Sequence, residues 1–495
     1  MPKRAGTIAL TLPPRDPGTP AYRWLSDALR RAILEGRLRP GVRLPASRDL
    51  AGPYGLSRGT IVSAFEQLRS EGYISGRVGS GTYVNRILPD DLLHVTRDRG
   101  RTTQPPAHGS APPRLSAYGR RVRPFPGLSG PPARAFRTDQ PALDLLPTTL
   151  WAQLAGRRLR RVSTDLLLGC EPMGYRPLRE AVAAYLQASR GVRGGARQIA
   201  IVSGAQQALD LVTRVLVNPG DRVCIEDPGY PGAALVFEAC GARISTVPVD
   251  DEGMAVPGGG RRLRGVRLAY TTPGHQFPIG VGMSLRRRMA LLEWARAANA
   301  LIFEDDYDSE FRYAGRPMPA LQGLDRDGRV LFAGSFSKVL FPSLRLGYLL
   351  VPEGLVDAVA ATLSISTRHA PVLEQAVLCD FITQGHFGRH IRRMREVYAE
   401  RRAVLLEEVE RQLGGLLEIT GVEAGLQTAG WLAPGISDAA ATRAAAQRNV
   451  EVTPLSRYRR GRAGWNGLQL GFAAVAPPEI RRGVRELAAA LEEVR

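Results

Sequence analysis

The chain has 495 residues, more than one compact core ordinarily holds, so two or three domains are expected. Apolar residues make up 44% of it, which excludes a disordered polymer. Lysine and arginine outnumber aspartate and glutamate by 67 to 47, a net charge of +20 that favours a polyanionic partner, above all nucleic acid.

The basic residues are almost all arginine: Lys3 and Lys338 are the two lysines of the chain. A lysine kept in the interior of such a sequence points to a task that a guanidinium cannot perform. The four cysteines, Cys170, Cys224, Cys240 and Cys379, are scattered without a CxxC, as expected of a reduced cytoplasmic protein. The six histidines form no HExxH motif, so no metal is expected. No apolar run approaches the roughly 18 residues of a membrane span. Met1 to Leu12 lacks the apolar stretch of a signal peptide.

Residues 18–86 read as one module. Leu25, Leu29 and Ile33 recur every four residues on a helix from Tyr22 to Leu34, stopped by Gly36 and Pro40-Gly41. A short second helix starts near Ala46 or Ser47 and runs to Ala51, where Gly52-Pro53 is expected to interrupt it. Gly55 makes a turn, and Ser57 caps a third helix, Arg58 to Glu71, with Ile61, Ala64, Phe65 and Leu68 inward. Tyr73-Ile74 and Thr82-Tyr83-Val84 read as two strands around a Gly-rich tip at Gly76–Gly81. The pattern is a helix-turn-helix followed by a two-stranded wing. Its third helix would face base edges with Ser57, Arg58 and Thr60, Arg43 and Arg48 would approach from the preceding turn and helix, and the backbone at Gly79 would come close to the duplex. The stretch from Gly36 to Val84 resembles the winged helix-turn-helix of the GntR family of DNA-binding regulators, with Ala46 standing where serine is common.

Residues 87–138 are rich in Pro, Gly and Arg, with Pro105-Pro106, Pro112-Pro113 and Pro131-Pro132, and read as a semi-stiff linker. From 139 onward apolar strands alternate with helical patterns, the signature of a mostly parallel sheet flanked by helices. In such sheets ligands sit at the carboxyl ends of strands. Ile199–Val202 is followed by Gly204-Ala205-Gln206 opening a helix, a turn that can offer N–H groups to an anion. The strand ending at Glu226 runs into Asp227-Pro228-Gly229-Tyr230, a tyrosine able to stack on a flat ring. Ala300–Phe303 ends in Glu304, Asp305, Asp306, Tyr307 and Asp308, four carboxylates that repel one another unless a cation such as a pyridinium nitrogen is held there. Arg329–Phe332 leads to Gly334-Ser335-Phe336-Ser337-Lys338, with Arg345 seven residues on. An imine with an aldehyde needs a primary amine, which makes Lys338 the candidate for covalent chemistry. Ser335 and Arg345 are candidates for a phosphate.

These segments together are similar to a fold-type I pyridoxal-phosphate (PLP) protein of the aminotransferase class. Joined to a GntR-type module they resemble the MocR subfamily, through EDPGY (226–230), HQFPIG (275–280), EDDYDSEFRY (304–313) and GSFSK (334–338). The resemblance implies an aminotransferase-like domain over 139–495, with a smaller α+β subdomain from about 381. It implies an internal aldimine on Lys338, Asp305 on the pyridine nitrogen, Tyr307 on the ring hydroxyl and Tyr230 stacked on the ring. Ser335, Ser337 and Arg345, with the backbone of Gly204, Ala205 and Gln206, would hold the phosphate. It further implies a head-to-tail homodimer on double-stranded promoter DNA, responsive to PLP or to an amine or amino acid.

Two departures separate the chain from working aminotransferases. Phe277-Pro278-Ile279-Gly280 stands where those enzymes have Asn-Pro-x-Gly, and Gln469-Leu470-Gly471-Phe472 stands where many have an arginine that forks onto the substrate carboxylate. Arg457 or Arg462 could reach in as substitutes. Gly232 offers no side chain where the GABA-responsive member of the group carries an arginine. A PLP-dependent regulator is therefore expected. The alternatives are an active aminotransferase with an appended DNA-binding domain, and an N-terminal module used only for assembly.

Overall fold

The computed structural model describes residues 12–16, 18–77, 81–86, 113–125, 134–256, 263–314, 318–419, 421, 423–461 and 464–495. Its contacts divide into two compact units, the second beginning at Pro113. Among the described residues no helix is long and apolar enough to cross a membrane.

In the first unit the four-residue spacing becomes helix α1, Ala21–Leu34, which buries Leu25, Leu29 and Ile33. These pack against Ile61, Ala64, Phe65 and Leu68 of helix α3, Arg58–Ser70. Arg30 on α1 clamps Glu71 at the end of α3 through Nε at 2.9 Å, fixing the crossing of the two helices. Helix α2 spans Ser47–Tyr54 and so runs through Gly52-Pro53, correcting the expected interruption. Pro53 lies in the last turn, where its missing N–H forfeits a single bond, and Gly55 then closes the helix with a left-handed φ of 60°. Strands β1, Ile74–Arg77, and β2, Gly81–Val84, pair antiparallel as the wing. The segment before α2 lies along the other edge of β2, with Arg43 bridged to Tyr83 and Leu44 N–H donating to Thr82 at 2.8 Å. Ser57 caps α3 by accepting from Thr60 N–H at 3.1 Å. Ser57→Ala is expected to cost this unit about 1 kcal/mol, read as a roughly fivefold loss of hydrogen-exchange protection in the α3 amides.

The second unit is built on an eight-stranded sheet in the order β3-β10-β9-β8-β7-β4-β5-β6. These strands are β3 (Ile199–Val202), β4 (Arg222–Asp227), β5 (Arg243–Asp250), β6 (Gly253–Met254), β7 (Val266–Thr271), β8 (Leu301–Asp306), β9 (Val330–Ser335) and β10 (Gly347–Leu350). β5, β4, β7, β8 and β9 run parallel, and β10 is inserted antiparallel between β9 and β3. Of the parallel strands, β4, β7, β8 and β9 are buried on both faces along most of their length, whereas β5, nearer the sheet edge, is only partly covered. A four-stranded antiparallel sheet, β11 (Leu417–Ile419), β12 (Gln427–Leu432), β14 (Gly467–Gly471) and β13 (Thr453–Pro454), forms the smaller C-terminal layer. Helices His386–Gln412, Asp438–Gln447 and Pro477–Glu493 pack around it.

The expectation that linker continues to 138 is corrected. Ala135 and Phe136 are fully buried in the core of this unit, and Gly471 N–H donates to Phe136 carbonyl at 2.9 Å. Further upstream, the short helix Ala117–Arg121 lies against helix Pro231–Cys240, with Arg121 donating to the carbonyls of Ala239 and Cys240. Two buried residues on irregular backbone leave no periodicity to read. The rest of the expected linker, 87–112 and 126–133, lies outside the described residues.

Candidate functional site

Lys338 follows the end of β9, and its Nζ donates to the carbonyl of Asp139 at 2.9 Å and pairs with Asp139 Oδ1 at 3.0 Å. Asp139 adopts a left-handed φ of 63°, and its N–H donates to Gln427 Oε1 at 2.8 Å. The amine is thus aimed at a point where the large sheet, the smaller sheet and the entering chain meet.

Beside it lies a place for an anion. β10 pairs with both β3 and β9, with Gly347 opposite Val202 on one side and Ser335 on the other, so the two strand ends converge. The helix Ala205–Leu216 opens there on Gly204, with φ 136° and no side-chain cap, and a Cβ on Gly204 would meet open space. Its first-turn N–H groups therefore face outward unblocked. Arg345 sits at a φ of 50° with no ion pair among the described residues. Ser335 Oγ accepts from Ser337 N–H at 3.2 Å, and the buried Ser337 Oγ has no partner.

The four carboxylates at the end of β8 are not equivalent. Glu304 accepts from the N–H groups of Leu321 and Gln322, both at 2.8 Å. Asp306 takes a forked Arg190 at 2.8 and 3.0 Å, together with Ser309 Oγ. Asp308 meets His275 Nδ1 at 3.0 Å and accepts from Leu426 N–H at 3.2 Å. Asp305 has no cation: Tyr270 OH donates to Oδ2 at 2.7 Å, and Oδ1 is buried without a partner. Burial pushes its carboxyl up to about 7, against the lowering from Tyr270 and Lys338. Of the two adjacent aspartates, Asp306 is spent on Arg190 and Asp305 is left waiting for a donor.

The walls are aromatic. Tyr230 lies 6.1 Å from Tyr270 at 23° and donates to Gln206 Oε1 at 3.1 Å. Phe277, in a stretch with a cis Phe277-Pro278 bond, sets its ring edge-on to Tyr230, Tyr307 and Tyr458. Tyr307 OH lies 3.0 Å from His275 Nδ1. Tyr458 OH donates to Gln469 Oε1 at 2.8 Å. A Cβ at Gly232 would collide with Gln206 Oε1 and the Tyr230 ring, so a side chain there would have to displace them.

The structure thus gathers Lys338, Asp305, Tyr307, Tyr230, Ser335, Ser337, Arg345 and the 204–206 turn at one end of the sheet. Arg457 is exposed on the turn Leu455–Tyr458, and its neighbour Tyr458 reaches Gln469 instead. Arg462 and Gly79 lie outside the described residues. On the first unit Arg58 is exposed at the start of α3 with Thr60 half-buried behind it. Ser57 is occupied as the cap, and Arg48 is exposed and 3.6 Å from Asp49. Arg43, Ser47, Glu66, Arg69 and Thr82 line a concavity of about 300 Å³ between α3 and the wing. Sequence reasoning missed Asp139, Tyr270, His275, Gln427 and Tyr458. Tyr270 reads as a core aromatic on an apolar strand, and Asp139 sits in a stretch without periodicity. For His275, membership of the HQFPIG stretch was the available signal.

Known proteins match both units. Residues 155–487 match the profile of aminotransferase class I and II, a PLP-dependent fold family. Residues 21–84 match the bacterial regulatory proteins of the gntR family, a DNA-binding helix-turn-helix class. The chain is 38% identical over 477 residues to the probable rhizopine catabolism regulatory protein MocR of Rhizobium meliloti, covering 96% of this chain and 94% of that one. It is 31% identical to the pyridoxine biosynthesis transcriptional regulator PdxR of Corynebacterium glutamicum over 98% of both chains. The solved multiple substrate aminotransferase of Thermococcus profundus superposes with a TM-score of 0.70 at 29% identity, over 77% of this chain and 97% of that one. With a GntR-type reader at one end and an aminotransferase-type domain at the other, matched along nearly the whole length, the chain belongs to the MocR subfamily of GntR-family transcription regulators.

Proposed function

We propose that this regulator holds PLP covalently on Lys338 and that an amine ligand arriving there changes how its winged helices engage promoter DNA. The observation that carries the reading is Asp305, a fully enclosed carboxylate that lacks a cation while each of its three neighbours has a protein partner. A pyridinium N–H would satisfy both its charge and its open oxygen. Bound there, the cofactor supplies an aldehyde that takes up primary amines reversibly. Tyr230 would cover the ring, and Tyr307, whose OH lies 3.0 Å from His275 Nδ1, would meet the ring hydroxyl. Arg345, the Gly204 turn and the serines 335 and 337 supply the donors that a phosphate dianion needs.

Phe277 in place of an amide and the neutral Gln469 support sensing over turnover, because neither can orient an amino acid for repeated proton transfer. Leu167, Leu168 and Ile365 are 64%, 82% and 86% exposed on the second unit and support a homodimer; the head-to-tail arrangement proposed for it rests on the family resemblance alone. A DNA target supports a cytoplasmic location.

The test is to load the full chain with PLP, follow the visible absorption band, reduce with borohydride and map the pyridoxyl group. Labelling at Lys338 is expected; labelling elsewhere, or none, refutes the assignment. A second expectation concerns pH. Unfolded, Asp305 ionises near its ordinary value of about 4, whereas folded it keeps its proton up to about 7. The folded state therefore binds the extra proton, and this group's contribution to stability is lost progressively from about pH 4 until pH has passed about 7. The apoprotein should lose about 1 kcal/mol from this source between about pH 6 and about pH 8. Asp305→Asn should abolish that part of the slope, measured by denaturant unfolding of both proteins at the two pH values.

A further inference from the structure

We infer that the ligand sensed at this site is an amine whose far end carries uncharged oxygens, hydroxyl or amide, and not a carboxylate. The inference rests on the proposed function above and names the class of ligand for that site. β12 and β14 are paired with Gln427 opposite Gly471 and Ala429 opposite Gln469, so the two glutamines stand diagonally on one face of the small sheet. Both are enclosed, with Gln427 2% and Gln469 0% exposed. Each carbonyl oxygen is used: Gln427 accepts from Asp139 N–H and Gln469 from Tyr458 OH. Each amide nitrogen has no acceptor. Fixing the oxygen of a planar amide also fixes the direction of its NH2, so two donors are held in place and left unsatisfied. A buried donor without a partner is costly, and two on one face beside the reactive amine form a binding surface for acceptors.

The charge of the surroundings decides which acceptor. Gln427 is one hydrogen bond from Asp139, and Asp139 is the residue that holds Lys338. Its negative charge raises the hydroxyls of Tyr230, Tyr307 and Tyr458, so it stands close to all three rings. Asp308 adds to that field. A ligand carboxylate set against the two amides would be buried beside Asp139 with neutral donors in place of a guanidinium, an uncompensated charge. A hydroxyl or amide oxygen meets the donors without that penalty. An ammonium group, by contrast, is drawn in by Asp139, which loses its cation once Lys338 is engaged. The rings of Phe277 and Tyr458, 5.0 Å apart, would bear on the carbon skeleton between the two ends.

The test uses PLP-loaded full-length protein and two matched probes, 3-amino-1-propanol and β-alanine, which differ in a terminal hydroxyl or carboxylate. Dissociation constants are read from the shift of the visible band and from the rise in melting temperature. The amino alcohol is expected to bind at least about tenfold more tightly. Gln469→Arg should reverse the order, and Gln427→Leu, a second variant in case the first fails to fold, should erase the preference. A wild-type preference for β-alanine, equal responses, or a response to neither probe overturns the inference. Borohydride labelling of Lys338 is measured on the same samples. If the label is present and the carboxylate wins, the ligand class is wrong and the cofactor reading stands; if the label is absent, both fall.

Discussion

Lys338→Arg is expected to leave a folded protein that no longer retains PLP. Arginine keeps the positive charge opposite Asp139 and fits a chain already rich in that residue, so the fold loses little. It cannot condense with an aldehyde, because the guanidinium is delocalised and fully protonated near neutrality. What remains for the cofactor is the phosphate cradle, Asp305 and the aromatic cover. Loss of the covalent link should weaken retention on the order of 100-fold or more, a difference of about 3 kcal/mol. The check is the visible spectrum after exhaustive dialysis, with borohydride trapping as the second readout. A variant that keeps a stable, reducible adduct would place the reactive amine elsewhere, and Lys3 is the one other lysine of the chain. The N-terminal amine would be the remaining candidate.

The second large effect lies in the DNA-reading unit. Arg58 projects from the first turn of α3, where Ser57 fixes the backbone, and Arg43 lies along the edge of β2 beside the wing. Neither forms an ion pair with a described carboxylate, so both cations are available to a duplex. The double substitution Arg43→Ala with Arg58→Ala should weaken promoter binding about 10- to 100-fold at fixed salt. If both residues contact phosphates, the slope of log affinity against log salt should become shallower by about 2; a base contact would change sequence preference instead. Fluorescence anisotropy across a salt series separates the two. Arg48→Ala should matter less, since Asp49 beside it already offsets part of its charge.

Much of this arrangement was legible in the chain. Leu25, Leu29 and Ile33 set the face of α1, and the glycines at 36, 55 and 72 ended elements where φ turns positive. Lys338 stood out as the one interior lysine of an arginine-rich sequence, and the carboxylates after β8 stood out through their expected mutual repulsion. What stayed hidden was pairing across long separations. Nothing local says that Asp306 will be claimed by Arg190, or that Asp139 will be held by a glutamine 288 residues downstream. Asp139 read as the edge of a linker because Ala135 and Phe136, which anchor it, show no repeat. Gln469 was noted for the charge it lacks, but that its amide is oriented and unsatisfied follows only from Tyr458 and the register of β12 with β14.

The central claim is that occupancy of the Lys338 site is communicated to DNA. The most direct measurement is quantitative footprinting on the protein's own promoter at one salt concentration, comparing apoprotein, PLP-loaded protein and PLP-loaded protein with a bound amine. A coupling of about 1 kcal/mol or more predicts at least a fivefold change in affinity, or an altered footprint, between two of these states, and its loss in Lys338→Arg. Identical curves and footprints in all three states, with cofactor demonstrably bound, would contradict it.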